Sequence, residues 1–126
     1  LKKINKDIVN FHPGLLPKYK GLFTNFYSLM NKENYIGITF HLVEKKIDSG
    51  KIIKRFKIKV EKNDTIFTLY KKIFLNKKSH EFIYNSILNY NKLSKHKFKN
   101  KDLYKYNSYP KLRDVIKFKF YKYFFN

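Results

Sequence analysis

The chain has 126 residues, of which 43% are hydrophobic, so it is long and apolar enough for one domain with a modest core and is no disordered tail. It contains no cysteine, which excludes disulfides and thiolate metal sites, and no apolar run approaches the roughly 20 residues that cross a bilayer. The net charge is +20, yet only Arg55 and Arg113 among the 29 basic residues are arginine, while Ala and Gln are absent and Lys, Asn, Ile, Phe and Tyr abound. That joint bias suits an AT-rich coding sequence better than selection for phosphate contacts, which favours the planar fork of arginine.

Residues 8–12 read as a short strand that ends at Pro13. Residues 13–21 form a loop punctuated by Gly14, Pro17 and Gly21. From Leu22 the positions Leu22, Phe26, Leu29 and Met30 follow helical spacing, and 31–34 is a polar turn. Residues 35–43 alternate, with Ile36, Ile38, Phe40 and Leu42 on one face and Thr39 and His41 on the other. Residues 44–50, EKKIDSG, are a second loop. Residues 51–60 alternate again, Ile52, Phe56, Ile58 and Val60 against Arg55, Lys57 and Lys59, as in a strand near a sheet edge. Asp64 or Thr65 caps a helix whose stripe is Ile66, Leu69, Tyr70, Ile73 and Phe74. A weaker helix spans 79–90, and 91–108 is Lys- and Asn-rich loop. The end, VIKFKFYKYFFN, reads as a strand or a packed tail.

The order strand, loop, helix, strand, loop, strand, helix predicts an α/β layer. In open α/β sheets chemistry gathers at the carboxyl ends of the strands, where Asn10 and His12 fall. A period of two puts both on one face, and Asp48 lies in the loop after another strand. A carboxamide can donate to a carbonyl oxygen and accept from an amine; an imidazole can donate to a developing oxyanion; a carboxylate can fix the imidazole and attract a proton. The trio suits acyl transfer to nitrogen. Competing readings are plain: Asn caps a loop, a lone His is structural, and Asp-Ser-Gly is an ordinary turn. His41 reads as a strand residue facing a helix or solvent. His12, His41, His80 and His96 show no metal-ligand spacing.

The stretch NFHPGLLPKYKG at residues 10–21 resembles the Asn-x-His-Pro-(small)-Leu-Leu-Pro-x-Tyr-x-Gly signature of the formyltetrahydrofolate-dependent formyltransferases. The segment IGITFHLVEKKIDSGKII, residues 36–53, resembles their Gly-x-Thr-x-His…Asp-x-Gly-x-Ile block. Gly14 stands where the family usually has Ser. The resemblance spans about residues 8 to 75 and implies the C-terminal half of a Rossmann-like formyltransferase domain. That domain would have a mixed sheet with flanking helices, parallel strands among them, and be incomplete at the N-terminus. Residues 1–95 would belong to it, and 96–126 would be a basic aromatic tail. Leu1 is not Met, so the chain reads as a fragment, and the absence of the family's first half implies little or no activity for the chain by itself.

The resemblance further implies roles. Asn10, His12 and Asp48 would be catalytic. Glu44, Ile47, Asp48 and Gly50 would border the pterin of 10-formyltetrahydrofolate, the formyl donor. Tyr19 and Tyr27 would contact the substrate, Tyr27 by stacking. GLFTNFYSLMNKE and YNSYPKLRDVIKFK resemble stretches of the sugar N-formyltransferases, so the expected partner is a small-molecule amine on a nucleotide-linked amino sugar. Methionyl-tRNA and glycinamide ribonucleotide formyltransferases are the alternatives within the family. An inactive fragment or a basic nucleic-acid binder, stacking bases on KFKFYKYFF, is the alternative outside it. Nucleic acid is disfavoured as a partner and no membrane partner is expected, because the tail lacks the spacing of an amphipathic helix. With no signal peptide visible, the default setting is cytoplasmic.

Overall fold

A computed structural model of the chain describes residues 7–93 and 104–124. The domain boundary expected between residues 95 and 96 lies outside them. Three strands, β1 (Val9–His12), β3 (Tyr35–Leu42) and β4 (Ile52–Lys59), form one sheet in the order β1-β3-β4. Both pairings are antiparallel, which corrects the expectation of parallel neighbours here. The carboxyl ends of β1 and β3 therefore lie at opposite margins, and what the two strands share is a face. Parallel pairing occurs between the two-residue strands β2 (Lys20–Gly21) and β5 (Tyr106–Asn107). The α/β class stands, with the antiparallel pairs in one sheet and the parallel pair in the other.

One face of the sheet is apolar. Ile36, Ile38 and Phe40 of β3 point from it into a core closed by Leu69 and Ile73 of helix α2 (Ile66–Phe74) and Phe82 of helix α3 (Lys77–Leu88). Phe11 of β1 stacks on Phe40 with ring centres 4.4 Å apart. Burying each such side chain contributes about 1.5–3 kcal/mol, so this face anchors the layer. The alternation in β4 is interrupted. Opposite Phe40 stands Lys54, but opposite His41 stands Ile52, so Ile53 is the extra residue of a β-bulge. The bulge changes the parity of the strand: Ile53, not Ile52, enters the core with Phe56 and Ile58. As expected, β4 is an edge strand, and Lys54, Lys57 and Lys59 face solvent along it.

Thr65 caps α2. Its Oγ1 accepts from the Thr68 N–H at 3.1 Å, and Thr68 Oγ1 accepts in return from the Thr65 N–H at 2.8 Å. Tyr70 and Phe74, expected inside, instead stack on each other on the outer side of α2 at 5.9 Å. Helix α1 begins at Thr24 rather than Leu22 and runs to Met30. Residues 91–93, read as loop, join Tyr90 in a short helix α4 (Tyr90–Leu93). The C-terminal segment is helix α5 (Leu112–Phe124). This corrects the reading of a strand or packed tail, since alternation is strand spacing and gives no sign of a helix; at its start Asp114 accepts from the Lys111 N–H at 2.9 Å in the first turn. Phe118 then packs on Phe26 of α1, ring centres 5.1 Å apart.

Candidate active site

The antiparallel register aligns two sequence pairs. Asn10 lies opposite His41, and His12 lies opposite Thr39. Residues two apart share a face, so these four side chains occupy the polar face of the sheet, opposite the apolar core. The loop after β1 folds back over that face and is pinned there. Thr39 Oγ1 donates to the Gly14 carbonyl at 2.6 Å and accepts from the Leu16 N–H at 3.1 Å. Arg55, opposite Thr39 on β4, donates to the Leu16 carbonyl at 3.1 Å. Thr24 at the start of α1 donates to the Pro13 carbonyl.

Asp48 comes from the loop between β3 and β4. The loop closes tightly because Gly50 lies against the Leu42 carbonyl, where a Cβ would stand 1.8 Å from the oxygen. Asp48 itself takes a left-handed backbone conformation, φ 52°, which turns its side chain back over the sheet. Its Oδ2 accepts from the Gly21 N–H at 2.8 Å and stands 3.5 Å from His12 Nδ1. Its Oδ1 stands 3.7 Å from His41 Nε2. The carboxylate is 9% exposed, and the histidines are 4% and 2% exposed at positions 12 and 41.

The ring nitrogens have distinct partners. His12 Nε2 is 2.6 Å from the Tyr19 carbonyl, which can only accept, so Nε2 carries a proton and Nδ1 faces Asp48. His41 Nδ1 is 2.7 Å from the Leu42 carbonyl and carries its proton for the same reason. His41 Nε2 is 3.2 Å from Asn10 Nδ2. Burial holds the His41 pKa below the usual imidazole value, although the Leu42 carbonyl and the Asp48 and Glu44 charges pull the other way.

The structure thus brings Asn10, His12 and Asp48 together from two connecting segments. His41 joins them, against the expectation that it faces a helix or solvent. The signal for it lay in Thr39-x-His41, the same two-residue spacing as Asn10-x-His12, but only the pairing of β1 with β3 sets the two side by side. Glu44 and Ile47 stand exposed on the same loop as Asp48, Ile47 at 65%, and Gly50 is buried. The two expected substrate contacts, Tyr19 and Tyr27, have partners within the chain. Tyr19 is buried, and its hydroxyl donates to Glu33 at 2.7 Å and accepts from Asn31 at 3.2 Å; what it offers the site is its backbone carbonyl. Tyr27 donates to the Ser108 carbonyl at 3.1 Å and joins α1 to the C-terminal segment.

A carboxamide, a carboxylate and imidazoles gathered on a sheet face, with donors and acceptors already ordered, are the equipment of a group transferase acting at a carbonyl carbon. The model of the formyl transferase family matches residues 1–87, and the chain belongs to that family. Over 70 residues it is 37% identical to the GDP-perosamine N-formyltransferase of Brucella melitensis biotype 1, covering 56% of this chain and 27% of that protein. Over 73 residues it is 42% identical to the methionyl-tRNA formyltransferase of Lactobacillus acidophilus, covering 58% of this chain and 23% of that one. Among solved structures it resembles WlaRD, a sugar 3N-formyl transferase crystallised with dTDP and 5-N-formyl-THF. The TM-score is 0.64 at 29% identity, over 79% of this chain and 37% of WlaRD. The chain therefore spans well under half the length of these relatives.

Proposed function

We propose that Asn10, His12 and Asp48 carry out formyl transfer from 10-formyltetrahydrofolate to a primary amine of a nucleotide-linked amino sugar. The observation that carries this reading is the 3.5 Å approach of Asp48 to His12 beside Asn10. The amine nitrogen attacks the formyl carbon, and the carbonyl oxygen becomes an oxyanion. One Asn10 Nδ2–H and His12 Nε2–H donate to it. To do so His12 exchanges the neutral Tyr19 carbonyl for a charged acceptor, and charge-assisted bonds are about twice as strong. A donor so placed is worth about 3 kcal/mol. The amine proton passes to the Asp48 carboxylate and on to the folate nitrogen as the C–N bond to the cofactor breaks, leaving tetrahydrofolate and a formamide. The family resemblance supports the loop with Glu44, Ile47, Asp48 and Gly50 as the border of the pterin, and Ile47 is its exposed apolar side chain.

An amino-sugar acceptor is supported by the GDP-perosamine enzyme and by WlaRD, whose substrates are sugars. The methionyl-tRNA relative keeps a tRNA acceptor as the second reading. Against it, the exposed lysines lie on β4, α2, α3 and α5 as well as on the 44–50 loop that carries Asp48, so they do not single out the site as a nucleic-acid surface.

Because the chain spans 27% of the GDP-perosamine enzyme, the test uses the chain alone and a fusion placing it behind the remaining part of that relative. Each is given 10-formyltetrahydrofolate and a panel of amines: a nucleotide-linked amino sugar, glycinamide ribonucleotide and methionyl-tRNA. Formylated product is read by mass spectrometry. Little product is expected from the chain alone, and a formylated sugar from the fusion, lost on Asn10→Ala, His12→Ala or Asp48→Asn. A folded, folate-binding fusion that formylates no amine overturns the reading.

A further inference from the structure

We propose that His41 is a positioning residue that fixes which way the Asn10 carboxamide faces. This rests on the reading of Asn10 as the group that meets the formyl oxygen and the amine. A carboxamide has two chemically opposite arms, and rotation by half a turn exchanges donor for acceptor. Something must therefore choose the orientation. His41 is placed to do so. Its Nδ1–H is committed to the Leu42 carbonyl at 2.7 Å, so Nε2 in the neutral ring holds a lone pair. That lone pair accepts only from the NH2 arm of Asn10, which stands at 3.2 Å. One Nδ2–H is thereby bound, the second stays free for a formyl oxygen, and Oδ1 is turned to the other side to accept from an amine.

The choice depends on His41 staying neutral. An imidazolium would present Nε2–H, and the orientation would reverse so that Oδ1 accepted from it. The groups facing the ring compete over that proton. Asp48 and Glu44, from the loop after β3, favour the charged form, and His12, from β1, opposes it. Asp48 Oδ1 at 3.7 Å is too far for a hydrogen bond, so it offers attraction without a site for the proton. Burial at 2% exposure decides for the neutral ring.

The experiment is NMR on the full chain with 15N-labelled histidine and asparagine, and it requires no turnover. At pH 7.5 His41 is expected as the Nδ1–H tautomer with unprotonated Nε2. In His41→Leu, which packs but cannot accept, exchange of the Asn10 side-chain NH2 protons should quicken about two- to tenfold, the worth of one neutral hydrogen bond. His41→Gln, whose Oε1 reaches toward the Nε2 position, should restore the slower exchange. If His41→Leu does not fold, the tautomer in the unaltered chain decides. An Nε2-protonated His41 at pH 7.5, or Asn10 exchange unchanged in a folded His41→Leu, overturns the proposal. Failure of the formyl-transfer assay alone would leave this NMR result standing and count against the catalytic reading only.

Discussion

Replacing Thr39 with valine tests whether the loop over the site is held by hydrogen bonds or by packing. Thr39 is fully buried, and its hydroxyl serves two backbone groups, the Gly14 carbonyl and the Leu16 N–H. Valine keeps the shape and removes the hydroxyl, leaving both groups buried without a partner. Each orphan costs about 1–3 kcal/mol, so Thr39→Val should lose about 3 kcal/mol in all. Thr39→Ser keeps both bonds and deletes one buried methyl, a loss of about 1 kcal/mol. In urea, with a slope of about 2 kcal/mol per molar, the midpoint should fall by about 1.5 M for valine and about 0.5 M for serine. Either variant stays folded if the parent lies in the usual range of about 5–15 kcal/mol. The Leu16 amide should also exchange faster with solvent in Thr39→Val alone. A valine variant as stable as the serine variant, or one whose Leu16 amide stays protected, refutes the account of how the loop is pinned.

Gly21→Ala should destabilise by about 2 kcal/mol or more in the same urea assay. Position 21 has φ +85°, an added Cβ would stand 2.2 Å from the Asn107 carbonyl, and the Gly21 N–H that holds Asp48 would be displaced. Phe118→Ala should cost about 1–2 kcal/mol by loosening α5 from Phe26, with circular dichroism showing lost helix. Stability should fall with acid in two steps measured by urea midpoints. The first lies below about pH 6.5, where the unfolded chain takes up a proton that buried His41, with its lowered pKa, does not; His41→Gln should flatten it. The second lies below about pH 4. Burial alone would raise the Asp64 pKa, but hydrogen bonds from Lys72, the Glu61 N–H and Thr68 bring it below its ordinary value. The stabilisation it gives at neutral pH is therefore lost as pH falls through that lowered value, and Asp64→Asn should flatten this second step.

Much of the secondary structure follows from local pattern. The apolar face of β3 and the start of α2 are carried by neighbours in sequence, so period two finds the first, and residue type narrows the cap to Asp64 or Thr65, of which the structure has Thr65. Asn10, His12 and Asp48 were legible because residue types with matching chemistry recur at a family's spacing. What the sequence did not contain is who lies beside whom. An antiparallel partner for β1 cannot be read from four residues, so His41 was set apart from the site although it stands directly across from Asn10. The bulge that exchanges Ile52 for Ile53 in the core comes from fitting β4 to β3, a property of the pair and not of either strand. Tyr19 and Tyr27 show the same limit. A tyrosine in a motif can face a ligand or a neighbour, and here Glu33 and the Ser108 carbonyl, distant in sequence, claim the hydroxyls. Alternation in the C-terminal segment reads as a strand or a packed tail, and the helix comes with the surface that Phe26 offers Phe118. The sequence by itself determined the chemistry available, because functional groups belong to residues. Only the tertiary structure decided which of those groups meet, because register, packing and burial arise between segments that the chain brings together.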